Sequence, residues 1–420
     1  MAPLPSLRRT AGSAARGHTI SAGTVGAFAV ASAIGTSTIV FSEPAPTDAL
    51  MLALIAGLPM LGVTRFGQAA VLNLGLWLVL ASLGLAGCAF SANLGAAVTH
   101  QAVTLFLAIG AFVLAGYVAA DPEPRFRLIM MCYVGASLVA ALAALAGYFH
   151  IMPSAYDLFT SYGRARGTFK DPNVLGAALA PAIAFLVWIM LRNPLRHAFV
   201  AAALSVPLIL ALLVSFSRGA WVSAALSLVL VVWLALVTTR RAGDICRLAV
   251  VAVLGGAGLI VTIAGALELD AVGALFEERA SLDQSYDEGP EGRFGGQAKA
   301  IGLILGHPLG IGTHMFRETQ HVEEPHNVYL SQFLNAGWIG GLAYIASVFG
   351  TLAAGFYALR QRTALQGPLI VATAAFAGLA FEGFVIDSDH WRHFFIVMAL
   401  VWGLVDGDPP VCNPERRRHD

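Results

Sequence analysis

The chain has 420 residues, of which 57% are hydrophobic and 12% are charged, and its mean hydropathy is +0.74. Soluble domains carry about twice that share of charged residues, so this composition excludes an ordinary soluble protein and makes membrane lipids the expected surroundings. Lys plus Arg and Asp plus Glu each number 25. The resulting net charge of zero excludes a nucleic-acid binder that relies on a basic surface. The four cysteines are widely separated, so neither a disulfide framework nor a thiolate metal site is expected.

Apolar runs long enough to cross a bilayer recur along the whole chain. A hydrocarbon core about 30 Å thick needs about 20 apolar residues in a helix. The runs, broken at charged residues and at Pro, Gly or Asn turns, predict spans at 19–42, 47–64, 68–90, 97–120, 126–149, 172–191, 196–215, 218–238, 246–267, 327–358, 366–386 and 390–406. We therefore expect an all-α polytopic membrane protein with about 12 transmembrane helices and one membrane domain over residues 19–406.

The basic residues indicate the orientation of these spans. With the N-terminus inside, 16 of the 25 Lys and Arg residues fall in cytoplasmic segments, and every inside loop carries positive charge. This agrees with the positive-inside rule. The residues at 1–18 and 407–420 are then expected to be cytoplasmic tails. The outward cations lie in later segments, and their position against this bias suggests an anionic ligand on the outer side.

One outer segment, residues 268–326 between the ninth and tenth spans, is much longer than the others. It contains eleven acidic and four basic residues. Its apolar stretch at 298–312 is interrupted by four glycines and a proline, which predicts a short helix at the membrane surface followed by a loop. A connection of this length is typical of a functional segment.

The first motif that suggests chemistry is residues 163–173, directly before the sixth span. Arg164, Arg166 and Lys170 are interleaved with glycines, a pattern that suits a phosphate or diphosphate. Pro172 and Asn173 predict a helix start that directs a positive dipole toward the same space. The alternative is a basic loop that contacts lipid head groups.

The second motif is Arg218, which lies at the junction of the seventh and eighth spans. An arginine within a membrane costs roughly 2.5 to 3.5 kcal/mol on insertion scales, so it needs a partner. A diphosphate is one candidate. The alternatives are that Arg218 reaches out to the interface or pairs with an acid such as Asp157 or Glu382.

The third motif is His326 at the start of the tenth span, directly after Glu323 and Glu324. A base at this position can take a proton from a sugar hydroxyl. The alternative is an interfacial histidine without a catalytic role. No His/Asp cluster with clear metal spacing is evident in the sequence, so no metal and no cofactor are expected.

From about residue 160 to 345 the sequence resembles the bacterial O-antigen ligase and polysaccharide polymerase family. The resemblance rests on His326-Asn327 followed by Gly337-x-x-Gly340 after a long outer loop. Three further segments match in the right order, namely Arg166-Gly-Thr-Phe with Pro172-Asn173, Ser217-Arg218-Gly219, and Glu291-Gly292-Arg293.

The resemblance implies a metal-independent, inverting glycosyltransferase of the bacterial inner membrane, with its active face and the long loop in the periplasm. Such enzymes move a glycan from undecaprenyl diphosphate to an acceptor sugar. By this resemblance, His326 is the general base toward the acceptor hydroxyl. Arg166, Arg218 and Arg293 hold the diphosphate, and the cation of Lys170 is expected to assist them.

The resemblance also implies supporting roles. Asn327 is expected to orient the histidine or a sugar, and Asn173 to stand at the helix start of the first motif. Gly337 and Gly340 are expected to allow close helix packing under the site.

Three hypotheses about the function follow from the sequence. A ligase uses an acceptor such as lipid A core, whereas a polymerase extends a second carrier-linked chain of exopolysaccharide or O-antigen, and the motifs do not separate the two. The third hypothesis is a 12-helix transporter or flippase. Transporters place ionisable residues near mid-membrane and show two related halves, whereas here Glu382 is the clearest charge inside a span.

Overall fold

The computed structural model describes residues 21–280, 289–290, 292–361 and 363–407. The predicted tail at 1–18, nearly all of the predicted tail at 407–420, and Glu291 lie outside the described residues. Within the described part the chain is almost entirely helical. The all-α prediction is therefore confirmed, with one short hairpin as the exception.

The first eight long helices alternate with short connections and are almost continuous from Ala22 to Thr238. Their bounds are α1 Ala22–Gly35, α2 Pro46–Met60, α3 Gln68–Gly87, α4 Leu94–Ala120, α5 Pro122–Tyr148, α7 Pro172–Arg192, α8 Leu195–Val214 and α9 Arg218–Thr238. One turn of 3-10 helix, Cys88–Phe90, extends α3, and the five-residue helix α6, Ala155–Phe159, follows α5.

The second part of the chain contains the long outer segment and the last four long helices. Its helices are α10 Ala242–Leu267, α11 Asp270–Ala280, α12 Arg293–Gly306, α13 Met315–Thr319, α14 Val328–Ala358, α15 Gln366–Glu382 and α16 Arg392–Gly407. The predicted surface helix corresponds to α12, and the residues after Gly306 form the predicted loop.

Each of the twelve predicted spans coincides with one of these helices. Eight helices of the described chain are long and apolar enough to cross a membrane, and α1, α2 and α15 are apolar but shorter. A multi-pass membrane protein is thus established, whereas the count of twelve crossings stays a prediction.

The helices pack around a centre formed by α16 and α15. The helix α16 packs on α4, α15 packs on α9, and α14 packs on α3. Nearly every residue of α16 is buried, although hydropathy alone would allow it to face lipid. In contrast, only 6% of the most apolar window of α10 is buried. The protein therefore places α10 at the periphery, where its side chains can face lipid.

The only sheet in the described residues is a hairpin of β1, Thr160–Ser161, and β2, Arg164–Ala165. Tyr162 and Gly163 form its two-residue turn, and both have positive φ, of 53° and 70°. Two such residues are what a tight hairpin of this kind requires. The first cationic motif is thus a folded hairpin between α6 and α7.

The helix α14 is kinked at Gly337, where φ is 70° and ψ is −173°. The kink receives the loop that follows α12, because the amide of Trp338 donates to Pro308 O at 2.9 Å and that of Ile311 donates to Leu334 O at 2.8 Å. From the sequence, Gly337 is predicted to permit close helix packing. Instead, its missing side chain admits a loop, since a Cβ would lie 2.5 Å from Pro308 O.

Replacing Gly337 by alanine should therefore destabilise the protein. The substitution combines a left-handed backbone with a collision against Pro308 O, and strained positions of this type cost on the order of 1–3 kcal/mol. We expect a clear fall in the melting temperature of the purified protein in detergent. Gly350→Ala in the same helix is the control, because nothing lies within 4 Å of its added Cβ. Equal melting temperatures for the two variants would contradict the kink's importance.

Candidate functional site

The loops at one end of the helix bundle contact one another. The amide of Val40 donates to Thr168 O at 2.8 Å, and Ser91 Oγ donates to Thr313 O at 3.0 Å. At the opposite end, Arg65 donates to Asp406 O at 2.6 Å. The first end contains all of the candidate site residues named above except Gly337 and Gly340, which lie farther along α14.

His326 lies immediately before α14 with φ of 49°, a backbone conformation that is uncommon for a residue other than glycine. Its Nε2 is 2.9 Å from Glu323 Oε2, and its Nδ1 is 3.9 Å from Asp387 Oδ2. Asn327 caps α14, because its side-chain oxygen accepts from the Leu330 amide at 3.3 Å. The imidazole is therefore held between two carboxylates at the start of a helix.

The residues between α15 and α16, called the 383–391 loop below, bring Asp387 to His326. The amide of Val328 donates to Gly383 O at 2.9 Å and is 3.3 Å from Ile386 O, so the start of α14 is joined to this loop. Ser331 Oγ donates to Asp387 Oδ1 at 2.6 Å. Burial, reinforced by the charge of Asp389, raises the pKa of Asp387 to about 6.

Asp389 lies in a second group of the same loop. His100 Nε2 is 3.2 Å from its Oδ2, and Gln332 Nε2 donates to the same oxygen at 3.1 Å. Burial would raise the pKa of Asp389, but the neighbouring His390 and His100 outweigh that effect and keep the pKa below its usual value. Burial lowers the pKa of His390 to about 4. The carboxylate of Asp389 is therefore ionised.

His100, Asp389 and His390 are the described residues whose arrangement could hold a metal ion, with ligand atoms within 4.8 Å of one another. Two imidazoles and a carboxylate suit a divalent transition metal. However, each member already has a protein partner, since His390 Nε2 is also 2.9 Å from Thr104 Oγ1. We interpret the group as a hydrogen-bonded network that fixes the 383–391 loop on α4.

Arg218 and Arg293 both begin helices that contact the region of His326. Arg218 is the first residue of α9, where a Cβ on Gly219 would lie 3.2 Å from Val385 Cγ2 and 3.4 Å from Glu382 Oε1. Arg293 is the first residue of α12, and one turn later Gln297 Nε2 lies 3.4 Å from both His326 O and Phe384 O. Two of the predicted diphosphate ligands thus flank the 383–391 loop on helix N-termini.

Arg166 follows the hairpin and is half-buried. One guanidinium nitrogen donates to Leu158 O at 3.2 Å, while its buried Nε has no hydrogen-bond partner among the described residues. The next residue, Gly167, has φ of 55° and packs so closely that a Cβ would lie 2.5 Å from Ala140 O. The backbone here is therefore fixed against α5, which in turn fixes the direction of Arg166.

Arg164 links the first and second motifs. Its Nε donates to Ser215 O at 2.8 Å, and its NH2 donates to Asn173 Oδ1 at 2.7 Å. Asn173 thus positions an arginine, while Asp171 caps α7 by accepting from the Asn173 amide at 2.7 Å. The hairpin and the junction that carries Arg218 are held together by this one guanidinium.

Lys170 lies beside a cavity of about 180 Å³ whose lining does not include Arg166, Arg218 or Arg293. Its Nζ is 3.2 Å from Glu43 Oε2. Arg392 also lines the cavity and forms two 2.7 Å hydrogen bonds to Asp48. Asp387 also lines this cavity, so the cavity is adjacent to the carboxylate that contacts His326.

Gly340 lies one turn beyond the kink, where a Cβ would be 3.6 Å from Leu80 Cδ1 of α3 and 2.4 Å from the Ala336 side chain. The distance to α3 is that of an ordinary van der Waals contact, so a Cβ on Gly340 would collide only with Ala336 of its own helix. Its role in close helix packing stays a prediction, whereas Gly337 admits the loop that follows α12.

The sequence predicts no role for Asp387, Asp389, His390 or Arg392. Its predicted spans 366–386 and 390–406 left three residues for the connection, whereas the observed loop has nine. A signal was present, since residues 387–393 contain two acids, two histidines and an arginine between apolar runs. Hydropathy windows dilute such a short polar segment.

The comparison with protein families gives one result for residues 202–345. This stretch matches the family model described as O-antigen ligase. It includes Arg218, Arg293 and His326, and extends from α8 into α14. No curated protein matches the chain. Residues 202–345 are therefore similar to the O-antigen ligase family, which confirms over this stretch the resemblance drawn from the sequence.

Proposed function

We propose that the protein is an inverting glycosyltransferase that moves a glycan from undecaprenyl diphosphate to an acceptor sugar, such as one of lipid A core. The observation that carries this proposal is the His326 imidazole, held between Glu323 and Asp387 beside two helix starts that bear arginines. The match to an O-antigen ligase model over the same residues supports it.

His326 acts as the general base in this proposal. The acceptor hydroxyl takes the place of Glu323 at Nε2, which is feasible because the Glu323 side chain is 67% exposed. The imidazole removes the hydroxyl proton while the acceptor oxygen bonds to the anomeric carbon and the bond from that carbon to the diphosphate oxygen breaks. Ionised Asp387 at Nδ1 stabilises the imidazolium that forms. A single displacement of this kind inverts the anomeric centre.

The diphosphate leaves without protonation if its charge is stabilised. Arg218 and Arg293 at helix N-termini, together with the incompletely bonded Arg166, supply charge-assisted hydrogen bonds for this purpose. Guanidinium groups bind phosphate oxygens in pairs and need no metal. We therefore propose that transfer is metal-independent and that Lys170, which pairs with Glu43, contributes less to donor binding.

The proposed orientation puts the site in the periplasm and both termini in the cytoplasm of the bacterial inner membrane. Arg65, Arg125 and Arg192 hydrogen-bond at the end of the bundle opposite the site. Their position supports this orientation, because cytoplasmic ends are enriched in basic residues.

Asp387 predicts a pH dependence of transfer. Its pKa of about 6 means that it is protonated below pH 6 and ionised above it. Only the ionised form stabilises the imidazolium, so we expect the rate to rise with pH through about 6. In Asp387→Asn this component of the rise should be absent and the rate at pH 7.5 lower. Comparing kcat/KM of both proteins from pH 5 to 8 checks this, and an unchanged profile in the variant would contradict it.

The proposed function is tested with the purified protein in lipid, supplied with an undecaprenyl-diphosphate-linked glycan, EDTA and lipid A core. We expect release of undecaprenyl diphosphate and a lipid A core product of increased size. A ladder of products without lipid A core would instead identify a polymerase. Movement of the carrier-linked glycan across the bilayer without either product would overturn the proposal in favour of a flippase, and loss of transfer in EDTA would overturn metal independence.

A further inference from the structure

The cavity next to Asp387 is lined by the α1–α2 connection, α5, the start of α7 and residues 387–393. Its volume of about 180 Å³ is below the roughly 300–1,000 Å³ typical of pockets for drug-sized ligands. The cavity is thus too small for an oligosaccharide or a lipid diphosphate, and of a size for a single sugar ring.

The charges around the cavity balance one another. Lys170 pairs with Glu43. The guanidinium of Arg392 lies 2.7 Å from Asp48 Oδ2 and 3.7 Å from Glu43 Oε1, so it pairs with both carboxylates. An anion would have to displace these carboxylates from their cations before it could bind. The cavity therefore favours a neutral ligand, although the sequence placed Lys170 among the diphosphate ligands.

The remaining lining suits a ring with hydroxyl groups. Trp391 and Phe169 present aromatic surface, against which the C–H face of a sugar can pack. Glu43, Asp387 and Lys170 supply acceptors and donors for hydroxyls. Apolar walls with a few placed polar groups are typical of small-molecule sites.

His393 gives an independent indication of a ligand. This residue lines the cavity and is 4% exposed. Its Nε2 is buried and has no hydrogen-bond partner among the described residues. A buried ring nitrogen without a partner is costly, so it is expected to bond to something that enters the cavity.

We propose that this cavity binds one neutral sugar ring of a glycan substrate. The proposal rests on the proposed function, since Asp387 contacts both the cavity and His326 and so places the ring next to the base. The ring belongs either to the acceptor or to the donor glycan, and the two sources make the same hydrogen bonds.

The first experiment measures binding without transfer. Saturation-transfer NMR of the full chain in detergent uses D-glucose, D-galactose and N-acetylglucosamine as probes, with inorganic diphosphate as competitor. We expect at least one sugar to bind wild type, to persist in His326→Ala and to remain in the presence of diphosphate. In His393→Leu its affinity should fall about 3- to 10-fold, as expected for the loss of one hydrogen bond. His307→Leu, an exposed histidine outside the cavity, is the matched control.

The second experiment identifies the source of the ring through transfer kinetics. His393→Leu should raise KM for the acceptor about 3- to 10-fold if the acceptor supplies the ring, or KM for the donor if the donor does, with kcat less affected. Lys170→Met should raise the same KM, and the half-exposed position of Lys170 should tolerate this change. Absence of binding by all three sugars, displacement of the sugar by diphosphate, or an unchanged affinity in His393→Leu would overturn the proposal. If the wild-type protein transfers no glycan, the proposed function alone is overturned, because the binding experiment does not depend on transfer.

Discussion

Replacing His326 by alanine is expected to lower the rate of glycan transfer by about 10² to 10⁴-fold, the usual contribution of a positioned general base. The variant loses the nitrogen that accepts the acceptor proton, while Asp387 and the arginines remain. The measurement is kcat for release of undecaprenyl diphosphate in the lipid assay, because the loss concerns the transition state and the ground-state affinity for donor should change little.

The control for this variant is His307→Ala, in which an exposed histidine after α12 is removed. Its melting temperature and rate should equal those of wild type. The melting temperature of His326→Ala should also be close to wild type, since the side chains of His326 and its nearer partner Glu323 are 31% and 67% exposed. A His326→Ala protein that transfers glycan at the normal rate would exclude the histidine as the base.

Replacing Arg218 by alanine is expected to lower the rate by about 10² to 10³-fold. One charge-assisted contact to the leaving diphosphate is lost, and such contacts in transition states are worth about 3 to 4 kcal/mol. Arg218→Lys keeps the charge without the planar fork, so its rate should lie between those of wild type and alanine variant. Transfer kinetics and melting temperatures of both variants test this.

Arg317→Ala and Lys299→Ala provide the controls for the charge argument. Both side chains are exposed, and Lys299 donates to Gln320 O within the long segment itself. Their removal should change the rate less than tenfold. Full activity in Arg218→Ala, or a complete loss in either control, would place the diphosphate elsewhere on this face.

The sequence was sufficient for the elements of the fold whose formation is local. Spans such as 218–238 and 68–90 are apolar over their whole length, so hydropathy predicts them closely. The surface helix α12 was also predictable, because glycines and Pro308 limit the length of the apolar run. Capping residues such as Ser217 and Asn327 precede their helices directly.

The candidate site was predictable only in part, since much of it depends on pairs distant in sequence. Arg392 and Asp48 are 344 residues apart, and His326 meets Asp387 across α14 and α15. No local pattern indicates which acid pairs with which base. The kink at Gly337 was missed for a similar reason, because the docking of Pro308 and Leu309 decides whether a glycine in an apolar run continues a helix.

The position of the 383–391 loop in the chain determines when the contacts of His326 are completed during synthesis. Asp387 and Arg392 emerge from the ribosome after fifteen of the sixteen described α-helices. The carboxylate of Asp406, in the last helix, accepts from the Ala70 amide at the start of α3 at 2.9 Å. A nascent chain that stops within α15 therefore has His326 without Asp387, and one that stops before Asp406 leaves the Ala70 amide without this acceptor. The pairing of His326 with Asp387 and the contact of Asp406 with the start of α3 are thus completed only when the last helix has been made.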